Sequence, residues 1–270
     1  MKSTSLPERL NTRESYEPRT RALSTVRGMQ QHLPSLRGTT LLVARGGASE
    51  YVQSSFVEAC AVALRLGSHG LDVDAVVVAG SVRLVPNNGA GVRSRFRRGD
   101  RTGPTLTEFF AAISAAADLP VFMRIGADDV AEVVAEVVGE VAAVLTTGDL
   151  ASSVRPVVES ARGVPGPVPS TSVACYVLGA LAGMQHGPER FFAAARSAGW
   201  RGVVLPDRDW TGGVVTLAHR FELETVADGV VQEHRAVALL RMGIDVISSS
   251  WPDRLASAAL EFERTRPTGA

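Results

Sequence analysis

From Thr39 onward, short apolar runs alternate with stretches that carry apolar residues at helical spacing. The first run predicts a strand over 40–44. A helix is predicted over 53–66, closed by Gly67. Next comes GLDVDAVVVAGSVRLVPNN, residues 70–88. Its β-branched run, the Gly80-Ser81 turn signal and the apolar return over 82–85 predict a β-hairpin. Pro104-Thr105 introduces a helix predicted over 106–117. Further strands are predicted at 120–125, 141–146, 171–177, 202–205, 223–227 and 244–248. The intervening helices are predicted at 128–138, 151–162, 188–198, 213–220, 231–242 and 251–263. Eight strand–helix alternations argue for an α/β fold, a (β/α)8 TIM barrel with a β-hairpin after the second strand. An open doubly wound sheet is the alternative. No Gly-x-Gly-x-x-Gly turn follows a strand and no Gly-Lys-Ser/Thr loop occurs, which weakens nucleotide-binding folds.

Residues 1–38 break this pattern. They are polar and Arg-bearing, and Pro7, Pro18 and Pro34 interrupt any long helix. The expected organisation is a polar N-terminal extension over 1–38, a barrel over 39–264 and a tail over 265–270. The extension is expected to be partly disordered or loosely packed outside the barrel.

A barrel works at the C-terminal ends of its strands. That rule selects Arg45, Asp72, Asp74, Arg124, Thr146, Thr147, Asp207, Asp228 and Ser248 to Ser250. Asp72 and Asp74 are two residues apart in a strand, so both point to one face. Burying two acids together without a cation costs several kcal/mol, by order of magnitude. A metal, an arginine or a bound ligand would have to stand near them. The plainer reading is a solvated strand end.

Composition narrows the partners. The net charge is zero, so no global field draws the chain to nucleic acid or to a membrane surface. Cys60 and Cys175 are too few for a disulfide framework, which points to a reducing cytoplasm. The first residues lack the apolar run of a signal peptide, and no stretch is apolar enough for a membrane span. Lys2 is the single lysine, so arginine supplies almost all of the positive charge.

Several of these segments resemble the glycerophosphodiester phosphodiesterase family, TIM barrels that use a divalent metal. The family's first strand ends in His-Arg-Gly; here it reads Ala44-Arg45-Gly46. Its Glu-Leu-Asp-Val strand is matched by Asp72-Val73-Asp74-Ala75, and its Ile-His-Asp by Val85-Pro86-Asn87. The helix start Pro-Thr-Leu-x-Glu is kept as Pro104 to Glu108. Ile-Glu-Ile-Lys is matched by Met123-Arg124-Ile125-Gly126. The closing Gly-Val-Asp-Gly-Ile-Ile-Thr-Asp-x-Pro is matched by Gly243 to Pro252. The resemblance spans roughly 39–260, and its scaffold positions survive better than its chemical ones.

The resemblance implies what has been lost. The family's general acid and base histidines fall at Ala44 and Pro86, which transfer no proton. A metal-binding carboxylate falls at Arg124, reversing the charge beside Asp72 and Asp74, the remaining metal-binding positions. The expectation is that the Arg124 guanidinium lies against Asp72 and Asp74 where the family holds Mg²⁺ or Ca²⁺, with no metal cofactor retained. Arg45 is the position the family uses to hold phosphate; it either keeps that role or pairs with Asp72 or Asp74. Asn87 and Trp251 complete the expected ligand-binding set, Trp251 by stacking or by packing at a helix start.

Among the five histidines, none has metal-ligand spacing, and His186 is the one candidate for a substitute acid or base. Arg93, Arg95, Arg97, Arg98 and Arg101 crowd one loop with Phe96, a solvated basic loop or a surface for an anion or a protein partner. Three readings follow. The first is a pseudoenzyme or repurposed enzyme, binding a phosphate-bearing or polar small molecule. The second is a phosphodiesterase acting through substitutes such as His186. The third is an interaction scaffold.

Overall fold

The computed structural model describes residues 33–52, 55–79, 81–85, 103–113, 119–126, 154–159, 167–168 and 174–265. Strands β1 (Leu41–Arg45), β2 (Gly70–Val78), β3 (Ser81–Val85), β4 (Val121–Gly126) and β5 (Val154–Glu159) lead into β6 (Tyr176–Leu178), β7 (Gly202–Pro206), β8 (Glu224–Asp228) and β9 (Val246–Ser249). The described helices are α1 (Phe56–Arg65), α2 (Leu106–Ala112), α3 (Gly187–Ser197), α4 (Gly212–Arg220), α5 (Glu233–Arg241) and α6 (Pro252–Thr265).

The sheet runs β1-β9-β8-β7-β6-β5-β4-β2, and a β1–β2 pairing closes it. All eight ring strands are parallel, and β3 joins outside the ring, antiparallel to β2. The protein is a TIM barrel with a hairpin on its second strand. Ser81 pairs with Val78, so the hairpin turn falls one residue earlier than expected and Ala79 takes a φ of 52°.

Side-chain alternation sorts each strand between two layers. Val43, Phe122, Val157, Tyr176, Val204, Val226 and Val246 fill the bore. Leu42, Ala44, Leu71, Val73, Met123, Ile247 and their neighbours face the helices in the larger core. Local chemistry sets the helix starts. Thr105 and Glu108 form a capping box at the helix start expected after Pro104-Thr105, while Ser55 and Thr211 cap α1 and α4.

One expectation fails outright. Residues 151–162 read as a helix, yet Val154–Glu159 is strand β5, paired with β4 over its whole length. Pro156 is the physical reason, since a proline inside a helix removes a hydrogen bond and clashes with the preceding turn. In β5 it precedes the three residues that pair with β6. The expected helix over 128–138 and strand over 141–146 lie outside the described residues.

The N-terminal end of the bore is closed by a buried acid. Glu224, at the start of β8, is 2% exposed. Arg37 Nη1 donates to both its oxygens at 3.1 and 2.9 Å, Arg201 Nε to Oε1 at 2.9 Å and Tyr176 Oη to Oε2 at 2.6 Å. Burial pushes the Glu224 carboxyl up, but these donors outweigh it and hold the group below its usual range. Beside it, Asp245 accepts from the Thr225 backbone and hydroxyl, each at 2.8 Å, and lies 2.8 Å from His219 Nε2. Residues 33–38 therefore pack against the barrel: Leu33 N–H also donates to Arg241 O.

Candidate ligand site at the barrel mouth

The C-terminal ends of five adjacent strands, β4-β2-β1-β9-β8, deliver one charged network. β2 supplies Asp72 and β4 supplies Arg124, both on the inward face. Arg124 Nε and Nη2 donate to the two oxygens of Asp72 at 2.7 and 2.5 Å. Its Nη2 and Nη1 donate to the two oxygens of Asp228 at 2.8 and 3.1 Å. Ser248, from β9, donates to Asp72 Oδ2 at 2.6 Å. Arg45, the last residue of β1, donates from Nη1 to Asp228 Oδ1 at 2.5 Å.

Burial grades this network. The Arg124 and Asp72 side chains are each 3% exposed, Asp228 14% and Arg45 19%. Two guanidiniums balance two carboxylates in it. Desolvation opposes the charged form of Arg124, but Asp228 and Asp72 outweigh it and raise its pKa above the usual arginine value. Desolvation likewise pushes the Asp228 carboxyl up, and Arg124 and Arg45 together hold it below the ordinary value. Backbone fixes the approach of Arg45. Gly46 and Gly47 both have positive φ, and a Cβ on Gly47 would meet Cys60 N at 2.6 Å. The Gly46 N–H donates to Asp72 O at 2.7 Å, which ties the loop after β1 to β2.

The expected pairing of Arg124 with Asp72 is present. The expected partner Asp74 is replaced by Asp228. Asp74 is buried on the same face of β2 and is the strand-register neighbour of Arg124. Four steps separate β4 from β8 in the eight-stranded ring, so Asp228 lies across the bore. The long arginine stem spans that width and places the guanidinium between two acids. Asp228 was legible as a strand-end acid, but its partner was not, because only barrel closure brings the two together.

Other expected residues are placed elsewhere. Ala44 faces the helices and is fully buried. His186 is the exposed N-cap residue of α3 and makes no bond to the network. Trp251 sits in the turn between β9 and α6, its N–H bonded to Ser249 Oγ at 3.0 Å. Its ring meets Tyr51 edge-on at 5.5 Å and lies 4.1 Å from the Arg254 guanidinium. It is partly exposed and makes no hydrogen bond to the charge network. Asp207 lies in a 3-10 turn after β7. Pro86, Asn87, Thr146, Thr147 and the Arg93–Arg101 loop lie outside the described residues.

These residues do not fit a divalent cation. Both Asp72 oxygens are engaged by Arg124, and the guanidinium adds a positive charge where a third oxygen ligand would be needed. Among the described residues, no group of three or more His, Cys, Asp or Glu side chains is placed to hold a metal ion. None of their helices is long and apolar enough to cross a membrane.

Fold and mouth together define a closed (β/α)8 barrel with a compact ionic network at its functional end. Solved structures of glycerophosphodiester phosphodiesterases share that fold. A protein of Silicibacter pomeroyi DSS-3 assigned to this activity superimposes with a TM-score of 0.63 at 14% identity, over 87% of this chain and 96% of that one. The glycerophosphodiester phosphodiesterase of Parabacteroides distasonis ATCC 8503 gives 0.62 at 11% identity, over 84% and 98%. An Oleispira antarctica phosphodiesterase, solved with the product sn-glycerol-3-phosphate, gives 0.62 at 13% identity, over 81% and 96%. No protein-family model and no curated protein matches the sequence. At these identities the likeness establishes the fold.

Proposed function

We propose that the protein binds a phosphate-bearing or other polar small molecule at the barrel mouth and has lost the metal- and histidine-dependent hydrolysis of phosphodiesters. Arg45 carries this reading. It is the outermost cation of the network, its side chain 19% exposed, and it gives Asp228 a single hydrogen bond, from Nη1. The exposed part of this guanidinium is open to an anion entering the mouth. The Oleispira protein holds sn-glycerol-3-phosphate, which supports a ligand of this chemistry. Ala44 stands at one of the histidine positions that the resemblance assigns, so that position has no group to move a proton. Two buried free cysteines suit a cytoplasmic setting.

The test pairs an activity assay with a binding assay. Purified protein with Mg²⁺ or Ca²⁺ should release no glycerol phosphate from glycerophosphocholine, because loss of an acid–base group typically removes about 10²–10⁴-fold. Turnover at about 1–10³ per second, ordinary for enzymes, would overturn the reading. Thermal shifts over phosphomonoesters and phosphodiesters should find ligands that raise the melting temperature of wild type and not of Arg45→Ala.

A further inference from the structure

We propose that Arg124 is a covalently attached cation occupying the place of a divalent ion, and that the same carboxylates bind such an ion once the guanidinium is exchanged for a carboxylate. The geometry argues for substitution at a centre rather than for a side pairing. An acid from the strand beside Arg124 and an acid from the strand across the bore turn all four of their oxygens toward one guanidinium. A hydroxyl from β9 and a second arginine from β1 complete the outer contacts. An ordinary ion pair needs one acid; an arrangement of several acids about one buried cation is what an ion site looks like.

Charge gives the same answer. Exchanging Arg124 for Glu changes the charge of the buried mouth by minus two, which one divalent cation restores. Size then selects the ion. The acids are spaced to receive a planar fork, so their oxygens stand farther from its centre than a small ion allows. Mg²⁺ demands octahedral ligands at about 2.0–2.1 Å, whereas Ca²⁺ accepts irregular sets at about 2.3–2.6 Å. Calcium should therefore bind better than magnesium. The native guanidinium cannot dissociate, so the wild-type mouth is independent of metal supply.

The experiment is a set of melting curves for wild type, Arg124→Glu and Arg124→Gln in EDTA, 10 mM CaCl₂ and 10 mM MgCl₂. Terbium luminescence serves as a direct probe of ion binding. Arg124→Glu should melt well below wild type in EDTA. For a weak site, calcium should return about 3–10 °C. Magnesium should return less, and Arg124→Gln should respond less than Arg124→Glu. Wild type should not shift and should not sensitise terbium. A wild type stabilised as much as Arg124→Glu would overturn the proposal, as would a folded Glu variant that binds neither ion. If Arg124→Glu does not fold in either condition, Arg124→Gln decides: it must melt higher in calcium than in EDTA. Failure of both variants to fold in calcium also overturns the proposal. These readouts are independent of the hydrolysis assay, so the two readings fail separately.

Discussion

At the mouth a guanidinium stands at the centre and acids surround it; at the floor an acid stands at the centre and guanidiniums surround it. The floor cations reach water: Arg37 is 24% exposed and Arg201 57%, around a Glu224 that is only 2% exposed. At the mouth the central cation and its nearest acid are both sealed at 3%. The difference matters energetically. A long basic side chain can keep its head hydrated while its stem covers apolar surface. A guanidinium confined between two carboxylates has no such outlet. The floor is therefore a tolerant clamp, and the mouth is a site whose charges must all be answered from within.

Removing the centre of each cluster is the sharpest way to break this comparison. Arg124→Ala leaves Asp72 buried without a cation and Asp228 with Arg45 alone, and should cost about 3–5 kcal/mol in urea unfolding. Glu224→Gln keeps the shape of the floor and lets Arg37 and Arg201 turn to solvent, so about 1–3 kcal/mol is expected. If the floor variant loses as much as the mouth variant, the contrast is wrong. Acid titration gives a smaller, separable effect. In each of Asp228, Glu224 and Asp245 desolvation favours the neutral form, and the surrounding donors and cations reverse it, leaving the folded carboxyl below its ordinary value. The unfolded chain then takes up protons first as pH falls. Stability should hold above about pH 4.5, decline below it, and go on falling until the folded values are passed. The slope of melting temperature against pH should be shallower in Arg124→Gln, because Asp228 loses its main cation. An equal slope would show that the floor alone carries the acid sensitivity.

Much of the scaffold is readable from local signals. Glycine and proline punctuation marks the repeating units, and Thr105 with Glu108 marks the start of α2. The i, i+2 spacing of Asp72 and Asp74 points both acids inward, and the inward Arg124 beside them is equally plain. What escapes is whatever depends on ring closure. Asp228 is 104 residues from Arg124 and Arg37 is 187 from Glu224, so no window of sequence contains either pair. The acid at the first position of β8, Glu224, was the available hint of a buried partner. The fourth barrel strand was missed for another reason. Its mixed polar and apolar run reads as an amphipathic helix unless Pro156 is given enough weight.

The Arg37–Glu224 clamp also orders events in time. Its two halves are separated by most of the chain, and β1 likewise finds its partner β9 only near the end. A ribosome adding about 5–20 residues per second takes about 10–40 s to pass from one half of the clamp to the other. Throughout that interval β1 presents one unpaired edge, and Arg37 has no acid to meet. Pairings between distant segments are the slow ones, and open strand edges invite pairing with other chains. The nascent protein is therefore most vulnerable to aggregation just before β8 and β9 emerge, and pairing of β9 with β1 is what ends the exposure.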